Sequence, residues 1–144
     1  MIEVFIDGAS RGQGSGQMGE AACAVVIFDR KKPVVQFARG LGRRTNNEAE
    51  YEALITALLM CSMSELRDPI IYCDSSVVVN QVNGRWECRS PRLLPLFLSV
   101  NAIKRDYRFR LHQVKRDRVA LADALGNRFL DTLEKTREES DGRK

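Results

Sequence analysis

Residues 2–7 (Ile2-Glu3-Val4-Phe5-Ile6-Asp7) combine alternation with β-branched content, the pattern of a strand. Residues 8–19 hold Gly8, Gly12, Gly14, Gly16 and Gly19 and read as a flexible turn. Residues 21–28 are a short apolar run, the pattern of a buried strand. The polar turn Asp29-Arg30-Lys31-Lys32-Pro33 leads into a third strand over 34–41. Three strands joined by short connections predict an antiparallel meander.

Thr45 opens the clearest helix, with Glu48 three residues on as a capping box requires. Tyr51, Leu54, Ile55, Leu58 and Leu59 then recur at helical spacing, which predicts one apolar stripe. Asp68-Pro69 breaks the pattern before a strand at 70–74. A helix near 75–83 ends at Asn83-Gly84, and another is predicted over 91–105, with Pro91 at its start and Pro95 near its first turn. Residues 107–114 alternate as a strand, and a helix over 119–134 closes the domain. The polar residues 136–144 read as a frayed tail after a domain spanning 1–135. The order β-β-β-α-β-α-α-β-α predicts an α/β fold, a mixed five-stranded sheet with helices packed on it.

At 144 residues the chain is read as one domain with a real core. It has no charged-then-apolar N-terminal signal and no apolar run near 20 residues, so a cytoplasmic protein without membrane attachment is expected. Cys23, Cys61, Cys73 and Cys88 show no CxxC spacing, and the first three lie in apolar runs as small hydrophobes. The net charge of +4 matters less than its distribution. Between Arg85 and Arg118 ten Lys or Arg stand against three acids, a local balance of +7. Such a stretch suits a phosphodiester partner, or is a solvated face.

Four carboxylates stand out. Asp7 follows the first strand and precedes Gly8, so it is either a strand-end ligand or part of an Asp-Gly turn. Asp74 follows an apolar run and precedes Ser75, so it is either a ligand or a strand-to-helix cap. Residue chemistry does not choose among Glu48, Glu50 and Glu52 on the first helix, and Asp123 is equally a helix-start acid. Converging acids repel and call for divalent cations. An acid set without paired His and Cys favours Mg²⁺ or Mn²⁺ over Zn²⁺.

The blocks Thr45-Asn46-Asn47-Glu48-Ala49-Glu50, Asp74-Ser75 and Ala122-Asp123-Ala124-Leu125-Gly126-Asn127 fall in one order after Asp7. In that order the chain resembles type 1 ribonuclease H, from Ile2 to about Leu130. The resemblance implies hydrolysis of the RNA strand of an RNA/DNA hybrid by a monomer holding two Mg²⁺ (or Mn²⁺) ions. A non-catalytic hybrid- or RNA-binding module is the alternative. It implies Asp7, Glu50, Asp74 and Asp123 as catalytic metal ligands, with Glu48 left as the cap. It also implies substrate contacts from Gly12, Gln13, Arg43, Thr45, Asn46, Asn47, Ser75 and Trp86, although Asn46 and Asn47 could instead cap the helix and Trp86 could be packing. The chain departs from the family in several places. Gln13 stands where Asn is usual, and Val119 stands where many members have Asn. Only four residues separate Trp86 from Pro91, leaving no room for a basic handle. Residues 115–122 contain no His, and the single His112 falls in the last strand.

Overall fold

The computed structural model describes residues 1–12, 14 and 16–142. Its elements are β1 (Ile2–Ser10), β2 (Gly19–Asp29), β3 (Lys32–Arg44), α1 (Asn46–Met63), β4 (Ile70–Cys73), α2 (Ser76–Val82), α3 (Leu94–Asp106), β5 (Arg110–Gln113) and α4 (Ala120–Gly142). A single 3₁₀ turn, Arg116–Val119, precedes α4. The five strands form one sheet in the order β3-β2-β1-β4-β5. β1, β2 and β3 pair antiparallel, whereas β4 runs parallel to β1 and β5 parallel to β4. The mixed five-stranded sheet expected from the pattern is therefore present.

β2 explains why the centre of the sheet is apolar on both faces. Ala21, Cys23, Val25 and Ile27 join the main core with Tyr51, Leu54 and Leu58 of α1. Ala24 and Val26 point the other way and pack against Ala122 of α4. A strand covered on both sides reads as a continuous apolar run rather than an alternation. α1 is built to fill that first face. Its capping box is closed, with Thr45 N donating to Glu48 Oε1 at 2.9 Å and Glu48 N to Thr45 Oγ1 at 3.2 Å.

Several expectations shift. β1 does not end at Asp7, because Gly8, Ala9 and Ser10 go on pairing with Cys23, Ala22 and Ala21. The turn starts only at Arg11. The apolar stripe of α1 does not include Leu59, which is 47% exposed; Ala49, Ala53, Ala57 and Cys61 are buried instead. Small residues let the helix sit close to the sheet, so its buried face is wider than a stripe of large residues suggests. α3 begins at Leu94, not Pro91, and its proline falls within the first two helical positions. There a missing N–H costs nothing, because it would have no partner in the helix. β5 is only Arg110–Gln113.

Residues from 136 onward, expected to fray, continue α4 to Gly142. Arg137 anchors this stretch through an ion pair with Glu20 at 2.7 Å. No helix among the described residues is long and apolar enough to cross a membrane.

Candidate active site

The acids meet where β1, β4, α1 and α4 converge. Asp7 is held in the middle of the sheet by pairing opposite Ala24, and its side chain is nearly buried. Gly8 follows it for a steric reason. A Cβ there would stand 2.2 Å from the carbonyl carbon of Ala49 and 2.4 Å from Glu50 N. Only glycine lets β1 touch the first turn of α1, and that contact brings Glu50 beside Asp7. Gly8 N donates to Glu50 Oε1, and the Cys73 thiol approaches Glu50 Oε2 at 3.7 Å. The neighbouring acids on α1 face elsewhere. Glu48 closes the cap, and Glu52 pairs with Arg39 at 3.2 Å. The ambiguity among three glutamates is thus resolved spatially: Glu50 alone of them lines the cleft.

Asp74 follows β4 and lies with Glu50 and Cys73 in a group whose potential ligand atoms all fall within 4.8 Å of one another. Ser75 next to it caps α2, accepting from Val78 N at 3.3 Å, and also lines the cleft. Asp123 enters from the first turn of α4. Asn127, one helical turn on, donates to Asp123 Oδ1 at 3.1 Å. Val119, at the position where the resemblance leads one to expect Asn, is buried. Asn127 supplies a side-chain amide to the acid from the other direction.

Electrostatics at this point are strained. Burial pushes the Asp7 carboxyl up from its usual range to about 8, helped by a hydrogen bond with Asp123 and by repulsion from Asp74 and Asp123. Glu50 is also pushed well up, first by burial and then by repulsion from Asp7 and Asp74. Burial likewise raises the Cys73 thiol, so it stays a neutral S–H. Two acids reluctant to ionise in an open cleft of about 450 Å³ form a site that a hard divalent cation would relieve. The oxygen-rich donor set fits Mg²⁺ or Mn²⁺.

The cleft is also lined by Asn46, Asn47, Arg11 and Arg116. Asn46 Oδ1 accepts from Ser10 N at 3.0 Å, so its amide NH₂ is the end left for a ligand. Gly12, Arg43, Thr45 and Trp86 lie outside this lining. Gly12 is pinned where a Cβ would meet Gln17 O at 2.3 Å. Arg43 reaches Met18 O at 3.4 Å. Thr45 is buried in its cap and borders a second cleft of about 570 Å³, shared with Asn47, Ser90 and Arg92. Trp86 is 49% exposed on the loop after α2, so it is not core packing. Gln13 falls outside the described residues. His112 is exposed on β5 and does not line the acid cleft.

Arg11 and Arg116 are cleft residues that pattern reading missed; Arg11 is tied to Asp131 at 2.7 Å, whereas Arg116 reaches a predicted acid. The Arg116 guanidinium stands 3.6 Å from Asp123 Oδ1. In the sequence it was one of ten basic residues in a stretch, and only the 3₁₀ turn singles it out.

A family model described as reverse transcriptase-like matches residues 9–129. The crystal structure of RNase H1 from Halobacterium salinarum superposes with a TM-score of 0.84 at 32% identity, covering 91% of this chain and 98% of that one. This chain belongs to the type 1 ribonuclease H family. LC11-RNase H1, solved in complex with an RNA/DNA hybrid, is a second ribonuclease H that superposes well (TM-score 0.81, 31% identity, 89% of this chain and 95% of that one). A bifunctional protein of Mycobacterium tuberculosis is 33% identical over 133 residues, which is 90% of this chain but 35% of that protein. The chain thus spans about a third of that relative's length. In this chain β5 leads to α4 through the single 3₁₀ turn that carries Arg116.

Proposed function

We propose that the protein is an endoribonuclease that hydrolyses the RNA strand of RNA/DNA hybrids with two bound divalent cations, Mg²⁺ or Mn²⁺. The observation that carries this reading is the convergence of Asp7, Glu50, Asp74 and Asp123 on one open cleft that Asn46 and Asn47 also line. Membership of the ribonuclease H family and the hybrid bound to LC11-RNase H1 support it.

The four acids would hold the cations. Held there, the cations would supply polarisation of the attacking and leaving oxygens of an in-line phosphoryl displacement. The chain's own residues do the rest. Gly8 N fixes one oxygen of Glu50, which leaves that carboxylate little freedom to turn away. The free amide of Asn46 and the side chain of Asn47 offer donors and acceptors to a minor groove, where the 2′-OH separates RNA from DNA. Arg92 and Thr45 border the neighbouring cleft, at the positive end of α1, and suit a backbone phosphate. Exposed Trp86 offers an apolar surface to the paired strand.

The test is cleavage of an end-labelled hybrid with and without Mg²⁺. Cleavage of the RNA strand alone is expected, lost in chelator and weak in Ca²⁺, whose looser coordination places the reacting oxygens poorly. Robust turnover in excess chelator would remove the metal-dependent reading, and hybrid binding without cleavage would leave a binding module.

A further inference from the structure

The sheet face that carries Asp7 and Asp74 does not end at the acids. Two residues back along β1 and β4 stand Phe5 and Tyr72, which are register partners on the same face. Their rings stack at 4.8 Å and 23°. The next strand adds His112, the register partner of Tyr72, at 6.2 Å. Phe28 closes the other end against Phe5, edge-on at 5.7 Å. This aromatic row lies about 7 Å below the acids, the rise of two strand residues.

Its two ends differ. α4 packs on β1, β2 and β3, so Phe28 abuts the small core under that helix and Phe5 lies against Phe28. The β4–β5 half is open, with Tyr72 half-exposed and His112 and Arg110 exposed. The guanidinium of Arg118 lies over the Tyr72 ring at 5.6 Å. The 3₁₀ turn therefore sends Arg116 to the acids and Arg118 to the aromatic row, joining the two surfaces. Exposed aromatics on a sheet face, set among arginines, suit unpaired bases and their phosphates.

We propose that Tyr72, His112, Arg110 and Arg118 form a platform for single-stranded RNA, namely the unpaired extension of the strand being cut. The choice of RNA rests on the hybrid-cutting reading, under which the strand held at the acids is RNA and the turn carrying Arg116 and Arg118 links that site to the aromatic row. Bases stack against the open aromatic end, and the arginines meet the phosphates. Arg118 either stacks with the bases or yields the Tyr72 face to them.

Fluorescence anisotropy in Ca²⁺ can test this with a blunt hybrid and with the same hybrid bearing a short single-stranded extension of RNA or of DNA. Wild-type protein should bind the RNA-extended hybrid about fivefold or more tightly than the blunt one, the scale of one stacked base. His112→Ala combined with Arg118→Ala should erase that gain and leave blunt-hybrid affinity within about twofold. His112→Phe should retain it, because a π-face remains. Three outcomes overturn the platform: no gain from an RNA extension, an equal gain from a DNA extension, or a double variant that weakens blunt and extended hybrids alike. Cleavage of the blunt hybrid in Mg²⁺ reports the activity separately. An uncut blunt hybrid with an intact extension gain would therefore sink the nuclease reading and not the platform.

Discussion

The two walls of the acid cleft are held by different means. On one wall, Glu50 and Asp7 are buried and locked through the main chain: Gly8 N binds Glu50, and the glycine itself exists because α1 touches β1. On the other wall, Asp123 is only partly covered and is held by side chains, Asn127 from its own helix and Arg116 from the preceding turn. A carboxylate fixed by backbone contact cannot adjust to what binds it. A carboxylate on a partly exposed helix turn can. The buried wall should therefore set the chemistry, and the exposed wall should tune it.

The harshest break of this asymmetry is charge removal on the buried wall or at Asp74, which is half-buried but sits in the same tight group as Glu50. Asp7→Asn, Glu50→Gln and Asp74→Asn should each lower hybrid cleavage by at least ~10²–10³-fold, the scale of losing one preorganised electrostatic element. Hybrid affinity, measured in Ca²⁺, should hold, since removing a negative charge near phosphate does not weaken attraction. If Glu48→Gln were severe and Glu50→Gln mild, the buried wall would be assigned to the wrong glutamate.

The buried wall should also make stability depend on pH in an unusual direction. Asp7 titrates near 8 in the fold against about 4 when unfolded. Between those values the folded state holds more protons, so stability contributed by this group is full below about pH 4 and is lost as pH rises toward 8. Glu50 shifts in the same direction and adds to the effect. Urea midpoints in chelator should therefore fall over that window. Saturating Mg²⁺ should flatten the fall, because cations replace protons as the neutralising charge. A midpoint that climbs steadily from pH 4 to 8 in chelator would mean that the acids are not crowded.

How much of this was legible in the sequence follows the same division. The capping box, the antiparallel meander and the acids of β1, β4 and α1 could be read, because each rests on local pattern or on a compact motif. Glu50 was chosen over Glu48 by resemblance, and its geometric reason, the Gly8–Ala49 contact, joins residues 41 apart in sequence and leaves no local trace. The exposed wall was less readable. Arg116 is one arginine in a basic stretch until the 3₁₀ turn aims it. The width of the buried face of α1 was missed because alanines carry little weight in a pattern of large apolar residues. The end of α4 was missed because polarity predicts fraying, whereas an ion pair to Glu20 ties the helix down.

A milder test addresses the exposed wall. Asp123→Asn should cost less than the buried substitutions, under about 10²-fold in cleavage. Its amide oxygen can still coordinate, and Asn127 can still donate to it. A loss equal to that of Asp7→Asn would show that both walls are rigid.

The smallest effect expected is that of Cys73→Ala. Cys73 sits at the end of β4, buried, with its thiol 3.7 Å from Glu50 Oε2 and within the same tight group as Asp74. Its position invites assignment as a ligand or a proton donor. Three facts argue for packing. Burial and the neighbouring acids push the thiol up, which favours the neutral S–H over the thiolate. S–H is a weak donor, whereas the main-chain N–H of Gly8 already orients Glu50. The side chain fills a place in the core among apolar neighbours, as a small hydrophobe does. Replacing it with alanine should therefore cost about 1 kcal/mol of stability through a small cavity. Hybrid cleavage should change by less than ~10-fold, below the ~10²–10⁴ expected for loss of a general acid or base. Steady-state cleavage and urea unfolding of the same preparation would separate the two effects. A thousandfold loss of cleavage with an unchanged unfolding midpoint would place the thiol in the reaction, and the buried wall would then owe its rigidity to a side chain as the exposed wall does.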